Sequence, residues 1–138
     1  MTEITNSLLD VNLDDAQPLK VLPDNTEIEL RITRADQVPN KSDPSRNNLA
    51  LVFDCPEDEM VDDIRVWIPV PNETQKLDDP KSYTRSLNRL AEFCKAFSLE
   101  PPFETDDIVG ETGTCIVSIQ AAQDGRDQNS IRRYVARR

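Results

Sequence analysis

The spacing of apolar residues changes once along this chain and later changes back, and no other feature of the sequence constrains the fold as tightly. In Thr26–Arg34 apolar and polar residues alternate, so Ile28, Leu30 and Ile32 share one face, as a half-buried strand requires. Leu49–Cys55 follows the same rule, with Leu49, Leu51, Phe53 and Cys55 on the core side. So does Ile64–Val70, with Ile64, Val66, Ile68 and Val70 inward and Arg65 and Trp67 outward. Pro69 has no N–H to give a ladder and marks an edge or the strand's end. The period then switches. Asp79 is a good N-cap and Pro80 a good first helical residue. Tyr83, Leu87, Leu90, Cys94 and Phe97 recur at helical spacing with Ala91 beside them, which leaves Arg85, Arg89, Glu92 and Lys95 to solvent. Pro101-Pro102 stops the helix. Alternation returns in Thr114–Ala121, with Cys115, Val117, Ile119 and Ala121 as the inner row, and again in Ile131–Val135. Between these two lies a hairpin loop, Gln123–Asn129, carrying an Asp124-Gly125 turn signal.

Five strands with one helix between the third and fourth is the element order of the OB-fold, a mainly β, five-stranded Greek-key barrel that is partly open. In that arrangement the Tyr83/Leu87/Leu90/Cys94/Phe97 stripe plugs the bottom of the barrel. Burying side chains of this size, at roughly 1.5–3 kcal/mol each, contributes on the order of 10 kcal/mol before entropy is subtracted. An open mixed sheet covered by one helix is the competing arrangement. A chain of 138 residues suits one domain with one core. Residues 20–138 are assigned to it. Residues 1–19, acidic and with Leu8, Leu9, Val11 and Leu13 in no sustained period, are read as an arm that enters the domain at Lys20.

Enzyme chemistry finds little support. The chain has no histidine, the commonest general base and metal ligand. Its three glycines, Gly110, Gly113 and Gly125, are too scattered to cradle a phosphate. The pairs Asp14-Asp15, Asp62-Asp63, Asp78-Asp79 and Asp106-Asp107 all fall in loops or turns and read as solvated surface, so neither a metal nor a cofactor is expected. Cys55, Cys94 and Cys115 are odd in number and lack a CxxC pair, which argues for buried, reduced thiols of a cytoplasmic protein. No apolar run is long enough to span a bilayer, and the polar, acidic N-terminus lacks the pattern of a secretory signal.

The formal charge is −10, but its distribution matters more than its sum. Residues 1–30 carry seven acids against Lys20 alone, and residues 54–63 carry six with no base. From Gln123 onward the sign reverses, with Arg126, Arg132, Arg133, Arg137 and Arg138 against Asp124 and Asp127. An OB-fold holds oligonucleotides across strands two and three, between the loop joining strands one and two and the loop joining strands four and five. Here those loops are 36–48, with Lys41 and Arg46, and 122–130, with Arg126; Arg34, Arg65, Arg132 and Arg133 stand on the adjoining strands. Single-strand binding needs cations along the phosphates and aromatic faces under the bases. Trp67, outward beside Arg65, and Tyr134, outward beside Arg132, are the expected stacking residues, whereas Phe53 belongs to the core.

Asp107-Ile108-Val109-Gly110, Cys115–Ile119, a glycine-containing loop and Asn129-Ser130-Ile131-Arg132-Arg133-Tyr134, together with the helix Tyr83–Phe97, resemble a group of small phage-encoded OB-fold proteins that bind single-stranded DNA. The resemblance covers roughly residues 20–137. It implies a non-catalytic role in phage DNA replication or recombination in the host cytoplasm, with single-stranded DNA and replication or recombination proteins as partners. The chain differs at its ends, finishing in Arg137-Arg138 where many such proteins finish in an acidic tail, so docking of partners through a tail is not carried over. Two further expectations stand beside this one. The net charge suits an acidic interaction module or inhibitor that mimics DNA to a basic partner, and an exposed sheet edge suits a subunit of a homo-oligomer.

Overall fold

The computed structural model describes residues 10–136. Its strands are β1 (Glu27–Pro39), β2 (Asn47–Asp54), β3 (Ile64–Pro69), β4 (Thr112–Ala121) and β5 (Asp127–Val135). They form one antiparallel sheet in the order β3-β2-β1-β4-β5. Between β3 and β4 lie α1 (Glu73–Asp78), α2 (Pro80–Phe97) and a 3-10 turn at Thr105–Ile108. The protein is therefore mainly β, and the single helix expected between the third and fourth strands is two. Asn72 caps α1, its Oδ1 accepting from the Gln75 N–H at 2.8 Å, and Asp79 caps α2 by accepting from the Ser82 N–H at 3.2 Å. Helix α1 is six residues long and nearly all polar, with Leu77 exposed, so it carries no apolar period by which a sequence could announce it. No helix among the described residues is long and apolar enough to cross a membrane.

Two bulges correct the expected alternation. In β1 the register with β2 slips between Ile32 and Arg34, leaving Thr33 as the extra residue, with its hydroxyl donating to the Val52 carbonyl at 3.1 Å. The inward row thus runs Leu30, Ile32, Ala35, and the strand continues to Pro39, through residues expected to be loop. In β5 the register with β4 slips at Ile116/Val117, and Arg132 is the extra residue. Ile131 and Tyr134, an odd number of positions apart, are consequently both buried.

The core joins the inner faces of β1–β5 to the C-terminal half of α2. Phe93 and Phe97 lie 5.0 Å apart, Phe53 stacks on Phe97 at 5.4 Å, and Phe93 meets Tyr134 edge-on at 5.5 Å. The buried face of α2 is Phe93, Cys94, Ala96 and Phe97, with Leu90 at its margin; Tyr83 is only half-buried, and Leu87 and Ala91 are exposed. The first part of the helix faces α1, with Lys76 over the Tyr83 ring at 5.8 Å and Gln75 Nε2 donating to the Ser82 hydroxyl at 2.9 Å, whereas its last two turns meet the sheet. Gly113 on β4 makes this approach possible, since a Cβ there would lie 2.7 Å from the Ala96 carbonyl oxygen and 2.8 Å from the Phe97 ring.

No ladder joins the edge strands β3 and β5 among the described residues. The segment Lys20–Leu22 instead ties the residues just ahead of β3 to β5. The Lys20 N–H donates to the Met60 carbonyl at 2.7 Å and its carbonyl accepts from the Asp62 N–H at 2.9 Å, just ahead of β3. On the other side Asn129 of β5 receives the Leu22 N–H at 2.8 Å and donates to the Leu22 carbonyl at 3.0 Å. The expected barrel thus takes the form of a five-stranded sheet whose open seam is strapped by the entering chain.

Candidate nucleic-acid interface

The outward face of β1, β2 and β3 is built by strict alternation in β2 and β3. Leu49, Leu51 and Phe53 of β2 and Ile64, Val66 and Ile68 of β3 turn inward, which turns Asn48, Ala50, Val52, Arg65 and Trp67 outward. The ladders then set two rows across this face. Arg65 stands opposite Val52, which stands opposite Arg34; Trp67 stands opposite Ala50, which stands opposite Asp36. Trp67 is 59% exposed, a high value for the largest apolar side chain in the protein. Its neighbour Ala50 has no side chain long enough to cover the indole. A shallow depression joins Arg34, Asp36, Ala50, Val52, Arg65 and Trp67. A second runs from Trp67 to Lys41, Asn40, Asn48 and Val38. Three of the expected cations, Arg34, Arg65 and Lys41, therefore do border the indole.

The charges on this face are not equally available. Arg34 is held by Asp36 at 2.8 Å. Arg65 and Lys41 have no ion pair among the described residues. Asp62 and Asp63 share a third depression with Arg65, Trp67, Val21, Gln128 and Asn129 at the seam, so the positive surface ends there.

The remaining expected residues are dispersed. Arg126 pairs with Asp124 at 2.8 Å at the tip of the β4–β5 hairpin, and the two hydrogen bonds it donates, from N–H and side chain, lower the Asp124 pKa. Arg132 reaches Asp24 at 3.3 Å, while Arg133 is exposed without an ion pair among the described residues. Arg46 does not join the group: it lies in a depression with Asp43, Asp78 and Asp79 beside α1. Tyr134 must be withdrawn as a stacking residue. It is 4% exposed, against Phe93 and Phe97, because the bulge at Arg132 reverses its facing. Burial, with the nearby Cys115, raises its pKa well above the ordinary tyrosine value, and Arg89 lies over its ring at 6.0 Å. Burial likewise raises the Cys115 thiol to about 12. All three cysteines are free and buried.

Sequence reasoning missed Asn40 and Asn48, which sit beside Trp67 with their amides in mutual contact. Asn48 lies at an alternate position to Ala50 and Val52, so its outward facing follows from the strand pattern; its proximity to Asn40 does not. Among the described residues no group of acids or cysteines is close enough to hold a metal ion. Protein-family models and curated proteins contain no match to this chain.

Proposed function

We propose that this chain is a non-catalytic, OB-fold-type single-stranded DNA-binding protein. Strand order, the strapped seam and α2 beneath the core support the OB-fold reading; the likeness to phage single-strand binders supports a setting in replication or recombination. The observation that carries the proposal is the exposed indole of Trp67 with Arg65, Arg34 and Lys41 around it on one sheet face. Bases stack on Trp67, where each stack contributes roughly 1–3 kcal/mol, and the phosphates run past Arg65 and Lys41. Flat stacking carries little sequence preference of its own, because every base has a π-face.

Trp67 is the sole tryptophan, so its emission reports directly on the site. Titration with oligo-dT at low salt is expected to quench it, and the affinity should fall with salt at a slope of about −0.7 per phosphate neutralised. An unquenched indole and no affinity at low salt would overturn the reading.

A second reading has its own support. Arg34, Arg126 and Arg132 are each engaged by an aspartate of the same chain, while the acids of 54–63 include exposed Glu57, Glu59, Asp62 and Asp63. This pattern supports a reading as an acidic module that docks a basic partner in place of DNA. Recovery of a basic protein in a pull-down, from a chain with no affinity for oligonucleotides, selects it.

A further inference from the structure

We infer that Asn48 reads the base stacked on Trp67, presenting it with a hydrogen-bond donor whose direction is fixed by Asn40. The inference rests on the DNA-binding reading above and adds a base preference to it.

The orientation of a carboxamide is set by the groups around it. Asn40 has little choice. Its Oδ1 accepts from the Ser42 N–H at 2.8 Å and from the Asp43 N–H at 3.2 Å, so its Nδ2 must lie on the other side. That Nδ2 faces the Oδ1 of Asn48 in a long contact of 3.5 Å. Turning the Asn48 amide over would set one NH2 against another. The backbone of the β1–β2 loop therefore acts through Asn40 to hold Asn48 with its oxygen toward Asn40 and its NH2 away. The Asn48 Nδ2 has no acceptor among the described residues, and Asn48 lines the same depression as the indole and Lys41.

An NH2 group beside a stacked base favours an edge with two acceptors side by side. Cytosine has such an edge in O2 and N3, and guanine has one in O6 and N7. Thymine places its N3–H donor between its two acceptors, and adenine sets its N6 amino group beside N1 and N7, so each opposes a donor to a donor. Lys41, on the same rim, supplies a cation for the neighbouring phosphate. The class of ligand is thus single-stranded DNA with a cytosine or guanine, and not a thymine or adenine, at the Trp67 position. Asn48 is the specificity residue, and Asn40 is a positioning residue.

The test uses the full chain and short oligo-dC and oligo-dT, followed by Trp67 fluorescence. The wild type should bind oligo-dC more tightly, by about tenfold for a well-made contact. Asn48→Ala should bring the two affinities together while quenching persists. Asn40→Asp is the decisive variant. Its carboxylate still accepts from Ser42 and Asp43 but now offers an oxygen to Asn48, so the Asn48 amide turns over, presents its own oxygen to the base, and the preference for oligo-dC is lost. Thermal melts of each variant check the fold. Equal affinities in the wild type, or a preference unmoved by Asn48→Ala and Asn40→Asp, overturn the inference while leaving DNA binding in place. Failure to bind either oligomer overturns the DNA reading itself.

Discussion

Asn129 holds the main chain of Leu22 at both its N–H and its carbonyl, at 2.8 and 3.0 Å, across 107 positions of sequence. The same carboxamide also donates to the Ser118 carbonyl of β4 at 3.2 Å. One side chain thus fastens the entering chain to β5 along the seam that no ladder closes. Asn129→Ala removes all three bonds and leaves part-buried backbone groups unpaired, so a loss of about 2 kcal/mol is expected. Urea unfolding measures it, and amide exchange should accelerate first at Leu22. A variant as stable as the wild type would mean that the contacts of Lys20 and Asp24 hold the strap without it.

Trp67 and Tyr134 should behave oppositely when truncated. Trp67→Ala removes an exposed ring, so stability should change little while oligonucleotide affinity falls by about 5- to 150-fold. Tyr134→Ala opens a cavity among Phe93 and Phe97 and should cost about 3–5 kcal/mol. Tyr134→Phe is expected to be neutral or stabilising, because the buried hydroxyl has no hydrogen-bond partner among the described residues. Paired melts and fluorescence titrations separate these outcomes.

Gly113→Ala should be destabilising although the residue gained is small. Its methyl group would meet the Ala96 carbonyl and the Phe97 ring at under 3 Å, so α2 must shift outward, at a cost of about 1–3 kcal/mol. A lowered melting temperature with unchanged oligonucleotide binding is the expected pair of results, since β4 is remote from the Trp67 face.

The protein should lose stability in alkali. Burial raises the Cys115 thiol from 9.0 to about 12, so the unfolded chain releases that proton before the native one does. The contribution is complete below pH 9 and drains away as pH rises toward the native value, with Tyr134 acting in the same direction. Urea midpoints measured from pH 7 to 10.5 should fall above pH 9, and Cys115→Ala should flatten that decline. Thiol reagents should reach Cys115 only on unfolding. Rapid modification of the native protein would contradict its burial.

Removal of residues 1–19 should tighten oligonucleotide binding at low salt. Asp10, Asp14 and Asp15 are exposed, no base offsets them within the arm, and Val21 delivers the chain to the depression that holds Arg65 and Trp67. A gain of several-fold that vanishes at high salt is the signature of charge competition. Unchanged affinity would show that the arm stays clear of the face.

Strand number, strand order along the chain and the inward rows of β2 and β3 were legible from residue types, because a two-residue period assigns each side chain to a face without reference to anything distant. Trp67 was found in this way. The same logic failed for Tyr134, since a single bulged residue at Arg132 inverts every facing beyond it, and a bulge depends on what the neighbouring strand can pair. The stripe on α2 failed for a related reason. Helical periodicity names a face but not how much of it a sheet will cover, and only the approach of Phe97 over Gly113 decides that. Short-range chemistry likewise marked the Asp79 cap but passed over α1, whose polar residues have no apolar period.

Local pattern, then, specified that there are five strands and which sides of β2 and β3 are apolar, because those properties are written in adjacent positions. The expected inner row of β4, by contrast, ends at Val117, with Ile119 and Ala121 exposed. Which cations meet the indole, which are neutralised by aspartates elsewhere, and how the seam is fastened depended on residues tens of positions apart. Such pairings arise only when the whole sheet closes around its core, where register, bulges and the path of the chain set distances that no local period contains.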